Sequence, residues 1–166
     1  MSNQKPLVGV VIGSTSDADV MESCINQLKD LQIPFEAKVS SAHRTPEQTL
    51  DFAVTAADRG LEVIIAGAGW AAHLAGVIAA HTLLPVIGVP IDSSPLNGMD
   101  ALLSTVQMPP GIPVATVALG KGGAKNAAIL AAQILALKHP DIADRLKTFR
   151  RDLTQKTIEK AANWEE

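Results

Sequence analysis

The sequence predicts an α/β fold: three layers, α/β/α, around a parallel sheet of about five strands, with a C-terminal helical arm. Three observations carry this. Short, continuous apolar runs of the kind buried on both faces of a parallel sheet recur along the chain. Each is followed by a segment with helical spacing of apolar residues. The joints between them are rich in Gly, Ser, Thr and Asp, the composition of strand-to-helix turns. Strands alternating with helices imply right-handed crossovers and a parallel sheet.

The first strand is Leu7-Val8-Gly9-Val10-Val11-Ile12, ended by Gly13. The loop Gly13-Ser14-Thr15-Ser16-Asp17 follows, and a helix runs to about Asp30, with Ser16 and Asp19 in capping-box positions. Val20, Met21, Cys24, Ile25, Leu28 and Leu31 form its apolar stripe. Residues 35–40 make the second strand. The next helix starts with Thr45 as N-cap, Pro46 at its first position and Gln48 completing a capping box. Its apolar face is read as Leu50, Ala53, Val54 and Ala57, and it stops at Gly60. Residues 62–66 form the third strand, followed by the small-residue loop Gly67-Ala68-Gly69-Trp70-Ala71-Ala72-His73 and a helix through Leu74, Val77, Ile78 and Leu83. Residues 86–89 form a fourth strand stopped by Pro90, 99–106 a short helix, and 113–119 a fifth strand. Gly120-Lys121-Gly122-Gly123 reads as a flexible turn before an Ala/Leu-rich helix over 124–138. A last helix from Pro140 carries Ile142, Leu146, Phe149 and Leu153 among many charges. The economical strand order is the flavodoxin-like one. The whole chain, 1–166, is expected to be one domain, with 140–166 a C-terminal helical extension.

Composition narrows the function. Hydrophobic residues make up 47% of the 166, charged residues 19%, and the formal net charge is -3. Nothing in this balance favours nucleic acid as a partner. The single cysteine, Cys24, excludes an intrachain disulfide and a cysteine metal cluster, and its place on an apolar stripe reads as buried filler. The polar N-terminus has no signal-peptide pattern, and every long apolar stretch is interrupted, so the expectation is a cytoplasmic protein with no membrane span.

Three loops lie at the carboxyl ends of the first three strands, where open α/β sheets bind ligands. The first offers Ser14, Ser16 and Asp17 with backbone N–H groups at a helix N-terminus, suited to a phosphate or, at Asp17, to ribose hydroxyls; an ordinary helix cap looks the same. The second is Ser41-Ala42-His43-Arg44-Thr45-Pro46. Arginine grips a phosphate with two donors, and histidine gives and takes a proton near neutral pH. Alone, this pair also fits a solvated surface turn. The third loop matches G-x-G-x-x-A, but it follows the third strand, has Trp70 where a pyrophosphate would approach, and lacks the acidic partner of a dinucleotide site. His73, at the start of the next helix, fits a structural histidine as well as a functional one. His81 and His139 read as helix-end or surface residues, and no spacing of His, Asp and Glu suggests a metal site.

These motifs resemble one family, the 5-(carboxyamino)imidazole ribonucleotide mutases of purine biosynthesis. The resemblance rests on Gly13-Ser14-Thr15-Ser16-Asp17, Ser41-Ala42-His43-Arg44-Thr45-Pro46, Ala66-Gly67-Ala68-Gly69 with Ala71-Ala72-His73-Leu74, and Gly88-Val89-Pro90. Leu103-Ser104-Thr105-Val106-Gln107-Met108-Pro109 and Gly111-Ile112-Pro113-Val114-Ala115-Thr116-Val117-Ala118 extend it, so that it reaches about Leu137. It implies a cofactor-free, metal-free isomerisation that moves a carboxylate from the exocyclic nitrogen of an aminoimidazole ribonucleotide to ring carbon four. By the same resemblance His43 is the general acid/base and His73 belongs to the reacting end. Ser14, Ser16, Asp17, Ser41 and Arg44 hold ribose and phosphate, Ala42 is a further substrate-binding residue, and Ala68, Gly69 and Leu74 line the base. A homo-octamer is also implied. A second branch of the family carboxylates the free ribonucleotide with carbon dioxide and typically carries lysine after the loop histidine; Arg44 resembles the mutase branch. A non-catalytic nucleotide- or flavin-binding module is the alternative of a different class, though the chain has no Tyr and only two Trp to stack on a flavin. Two positions depart from the family pattern: Trp70, where glycine is usual, and Ala75, where proline is frequent.

Overall fold

The computed structural model describes residues 5–165; the first four residues of the polar N-terminus lie outside the described residues. Five parallel strands, β1 (Val8–Ile12), β2 (Phe35–Val39), β3 (Val63–Gly69), β4 (Val86–Ile91) and β5 (Ala115–Thr116), form one sheet. Its order is β2-β1-β3-β4-β5, the flavodoxin-like order expected. The helices are α1 (Ala18–Asp30), α2 (Pro46–Thr55), α3 (Leu74–Ala79), α4 (Met99–Val106), α5 (Gly120–Leu135) and α6 (Pro140–Glu165).

Alternation along the strands divides the core in two. Val8, Val10, Val63, Ile65, Ile87, Val89 and Ile91 face α1, α5 and the start of α6. Val11, Ile64, Ala66 and Val86 face α2 and α3. The first layer is built around a run of alanines on α5 (Ala124, Ala127, Ala128, Ala131, Ala132) that lets its backbone approach α1 and the sheet closely. Cys24 is fully buried there, and desolvation pushes its thiol up to about 12. Ile142 is buried, and Leu146 and Phe149 pack on the same core, while α6 beyond Arg150 is exposed wherever its burial is described. Glu62, just before β3, holds Lys138 at 2.8 Å and His139 at 3.1 Å, tying the α5–α6 junction to the sheet. Burial alone would raise the Glu62 carboxyl, but hydrogen bonds and charge from these two partners bring it below its usual value. No helix among the described residues is long and apolar enough to cross a membrane.

Several boundaries differ from the sequence expectation. The buried face of α2 is Thr49, Phe52 and Ala53, with Ala56 just beyond, whereas Leu50 and Val54 are 41% and 59% exposed. The two stripes have the same helical spacing, and the larger area of Phe52 decides which one turns inward. β3 runs on to Gly69, so Gly67 and Ala68 are strand rather than loop, and β4 continues through Pro90, whose partner is Ala68. α3 ends at Ala79, leaving Leu83 in the open. β5 is only two residues long at the sheet edge. The glycines at 120–123 are the first turn of α5, not a separate flexible turn. Gly123 is required there, because a Cβ would run into the backbone carbonyl of Ala118.

Gly123→Ala should therefore cost roughly 3 kcal/mol of overpacking, seen as a lower urea midpoint at unchanged slope. An unchanged midpoint would show that the α5 entry yields without cost.

Candidate active site

The reversal of strand order falls between β1 and β3, and the loops leaving β1, β2 and β3 open around it. Gly13 donates its N–H to the carbonyl of Gly67 at 3.0 Å, carrying the β1–β3 pairing to the floor of the crevice. The crevice is a cavity of about 500 Å³, within the range of small-ligand sites. Its lining contains every residue singled out in the three loops: Ser14, Ser16 and Asp17; Ser41, Ala42, His43 and Arg44; Ala68, Gly69, His73 and Leu74. Gly13, Trp70, Ala71, Ala72 and Ser93 complete it.

In the first loop a single turn of 3₁₀ helix, Thr15–Asp17, precedes α1. The expected Ser16/Asp19 capping box does not form. Ser14 is the cap, its Oγ accepting from the Ser16 N–H at 3.3 Å and lying 2.9 Å from the Ser16 hydroxyl, while Asp19 pairs with Lys121. Asp17 is 4% exposed. Burial raises its carboxyl above the usual range, and the Ser14 backbone hydrogen bond and the Arg44 charge only partly counter this.

The second loop is held from beneath. Ser40 and Thr49, both buried, share a hydrogen bond of 2.7 Å between hydroxyls. Thr45 stands at the N-cap of α2, but its side chain does not cap the helix. Its Oγ1 instead accepts the Ser41 N–H at 2.9 Å and donates to the Ser41 carbonyl at 3.2 Å, closing the turn on itself. The Arg44 N–H and its Nε both reach Ser41 Oγ, at 3.3 and 3.4 Å, and its Nη2 donates to the Gly13 carbonyl at 3.1 Å. Arg44 thus bridges the first two loops, with donors left over at the cavity rim.

His43 Nε2 lies 2.7 Å from His73 Nδ1, the rings edge to face at 78° with centroids 4.9 Å apart. A hydrogen bond between facing ring nitrogens needs one protonated and one bare, so the pair holds a proton that either ring can carry. His73 occupies the N-cap position of α3 without capping it, so its ring is committed to His43. His81 and His139 lie elsewhere, hydrogen-bonded to the Val77 carbonyl and to Glu62.

Gly69 and Trp70 shape the third loop. A Cβ on Gly69 would meet the Ser93 hydroxyl, so glycine here lets that hydroxyl turn into this wall. Ala72 donates its N–H to the Gly69 carbonyl at 3.1 Å, closing a turn whose first central residue, Trp70, has φ +55°. Glycine is the usual residue at such a position. Trp70 is 60% exposed. Ser93 escaped the sequence reading; its place after β4, the neighbour of β3, is the signal that marks it.

Fold and site together define a flavodoxin-like α/β protein with an anion-suited ligand cavity and a histidine pair at its switch point. The chain belongs to the AIR carboxylase family, whose model matches residues 7–156. It is 54% identical over its whole length to an N5-carboxyaminoimidazole ribonucleotide mutase of Pyrococcus horikoshii, covering 93% of that protein. It is 56% identical to the Bacillus subtilis enzyme of the same name, over 93% of this chain and 94% of that one. The crystal structure of Treponema denticola PurE superposes with a TM-score of 0.86 at 32% identity, covering 97% of this chain and 99% of that one.

Two substitutions test the strain and the buried charge in this site. Trp70→Gly should gain about 0.5–1 kcal/mol in equilibrium unfolding, because it removes a left-handed backbone cost and gives up little burial. An unchanged or lowered stability would mean the indole packs productively. For Asp17→Asn the sign follows from the raised carboxyl. Native Asp17 weakens the fold as pH rises from 3.8 through its folded pKa, so the variant should gain relative stability over that window and hold it above. Thermal unfolding across pH 3–8 reads this, and a parallel pH dependence in both proteins would refute it.

Proposed function

We propose that this protein is an N5-carboxyaminoimidazole ribonucleotide mutase of purine biosynthesis, interconverting 5-carboxyaminoimidazole ribonucleotide and 4-carboxy-5-aminoimidazole ribonucleotide. The observation that carries the reading is the 2.7 Å contact of His43 and His73 inside a cavity whose other end is furnished for a ribose phosphate. The mutase names of relatives at 54% and 56% identity support it, as does Arg44 after the loop histidine.

The chemistry runs in three steps. His43 gives a proton to the carbamate nitrogen; the N–C bond breaks, its electron pair stays on nitrogen, and carbon dioxide is freed. Carbon four of the electron-rich imidazole then attacks the same carbon dioxide, forming a C–C bond. The proton on carbon four returns to His43, so protons and charge balance over the cycle. One side chain serves as acid and then base because the two transfers run in opposite directions. His73 holds the His43 ring in its edge-on orientation and accepts or supplies the shared proton.

Arg44 and the backbone N–H groups of the first loop hold the phosphate, with the Ser14, Ser16 and Ser41 hydroxyls as further donors. Asp17 accepts from ribose hydroxyls, and Ala42 packs beside them. Ala68, Gly69 and Leu74 leave room for a flat base. Several copies assemble around such sites, an octamer by family analogy; Leu50 and Val54 on α2 and Met99, Leu103 and Val106 on α4 are among the exposed apolar side chains available for it. A cytoplasmic location follows from the biosynthetic role.

Substrate carrying a labelled carboxylate, incubated in unlabelled bicarbonate without ATP, should give product that keeps the label. Rapid exchange with the medium before isomerisation would instead assign the free carbon dioxide carboxylase reaction. His43→Asn should lower kcat by about 10²–10⁴-fold while ribonucleotide binding persists. Near-normal turnover in that variant would overturn the role of His43.

A further inference from the structure

Ser104 and Met108 belong to a stretch on which the family resemblance rests, yet the proposed chemistry leaves both without a role. Ser104 lies within α4, away from the three loops that line the cavity. Its Oγ donates to the Ala71 carbonyl at 2.9 Å. Among the described residues, it is the only side chain from outside the third loop that hydrogen-bonds the backbone of residues 70–73. That loop has little else to fix it. The Ala72 N–H closes its turn on the Gly69 carbonyl, Trp70 sits in the turn at φ +55°, and His73 follows at the N-cap position of α3 without capping it.

α4 can anchor the loop because it is itself fixed to the sheet. Ala101 and Thr105 are buried, and a Cβ on Gly88 of β4 would run into the Thr105 methyl, so the bare glycine admits the helix closely. Ser94 Oγ donates to Asp100 Oδ1 at 2.7 Å and holds the first turn of α4. Just past the end of α4, the Met108 thioether lies against the bare face of Gly76 in α3, where a Cβ would meet it at 3.1 Å. The α4 segment thus holds the chain on both sides of His73, at Ala71 before it and at Gly76 after it. The 2.7 Å separation of His43 Nε2 and His73 Nδ1 tolerates little displacement, since a hydrogen bond is lost beyond about 3.5 Å. We propose that Ser104 is a positioning residue for the proton transfer: through the Ala71 carbonyl it holds the third loop so that the His73 ring faces His43. The kinetic consequence rests on the mutase reading, whereas the effect on the two imidazoles does not. The groups assigned to phosphate and ribose stand on the first two loops, so loss of the Ser104 hydroxyl acts on turnover rather than on binding.

Ser104→Ala and Ser104→Thr, made in the whole chain, test this. With 4-carboxy-5-aminoimidazole ribonucleotide as substrate, Ser104→Ala should lower kcat several-fold with KM within about twofold of the parent, and should displace a limb of the kcat–pH profile. Asp17 and Arg44, the other charged groups lining the cavity, are untouched by the change, so the displacement reports on the histidine pair. Ser104→Thr keeps the hydroxyl and should recover both turnover and profile. Unchanged kcat in Ser104→Ala, a lower kcat with the parent's pH profile, or a threonine variant as impaired as the alanine one would each overturn the proposal. The second measurement needs no substrate. In ¹⁵N-histidine NMR, the His43 and His73 ring-nitrogen shifts of Ser104→Ala should move toward those of independent imidazoles, and shifts identical to the parent's refute the positioning role. A parent protein that does not isomerise refutes the mutase reading, and the ring-nitrogen shifts then decide the role of Ser104 by themselves.

Discussion

Parallel pairing of β1 with a strand on each side is the constraint on which the rest depends. β1 matches β2 from Val8 opposite Phe35 and β3 from Val8 opposite Val63, so its carboxyl end lies level with both neighbours. The chain leaves β1 toward one face of the sheet, through α1, and leaves β2 and β3 toward the other, through α2 and α3. The loops must therefore part above β1, and the crevice is a product of topology before any side chain enters it. Because the strands supply the floor and the register, loop side chains separated in sequence by a helix and a strand meet within hydrogen-bond distance.

Within that crevice the polar groups divide by environment. The end formed by the first two loops has backbone donors, hydroxyls and one guanidinium that already spans them. Its single carboxylate is buried, where charge is costly, and the nearby Arg44 offsets part of the cost. The other end is made of alanine and glycine, with two imidazoles in mutual contact. The proposed function sets the phosphate at the first end and the flat base at the second. Membership of the AIR carboxylase family and the geometry thus point the same way from independent starting points.

Most of the architecture was legible from periodicity, and the three loops from turn composition. The failures have physical causes. On α2 two stripes offered equivalent spacing, and the contest was settled by the area of Phe52 against the sheet, which periodicity does not weigh. At the start of α5 the glycines looked like flexibility, yet Gly123 serves close approach to Ala118, a reason visible only once the turn has a neighbour. The Thr45 capping signature was present, but Ser41 outcompeted the helix end for the same hydroxyl. The contact between His43 and His73 joins residues thirty apart, and only the strand order brings them together. Ser93 enters the wall from the end of a neighbouring strand, against the bare face of Gly69.

The hydroxyl cluster beneath the second loop has a bearing on affinity. Ser40, Thr45 and Thr49 lie outside the cavity lining, but with Ser41 they fix the turn that presents His43 and Arg44. A loop ordered before the ligand arrives has already surrendered its conformational entropy during folding, so association is spared that loss. Part of the grip on any ligand of this cavity is therefore stored in the stiffness of the hydroxyl layer beneath it.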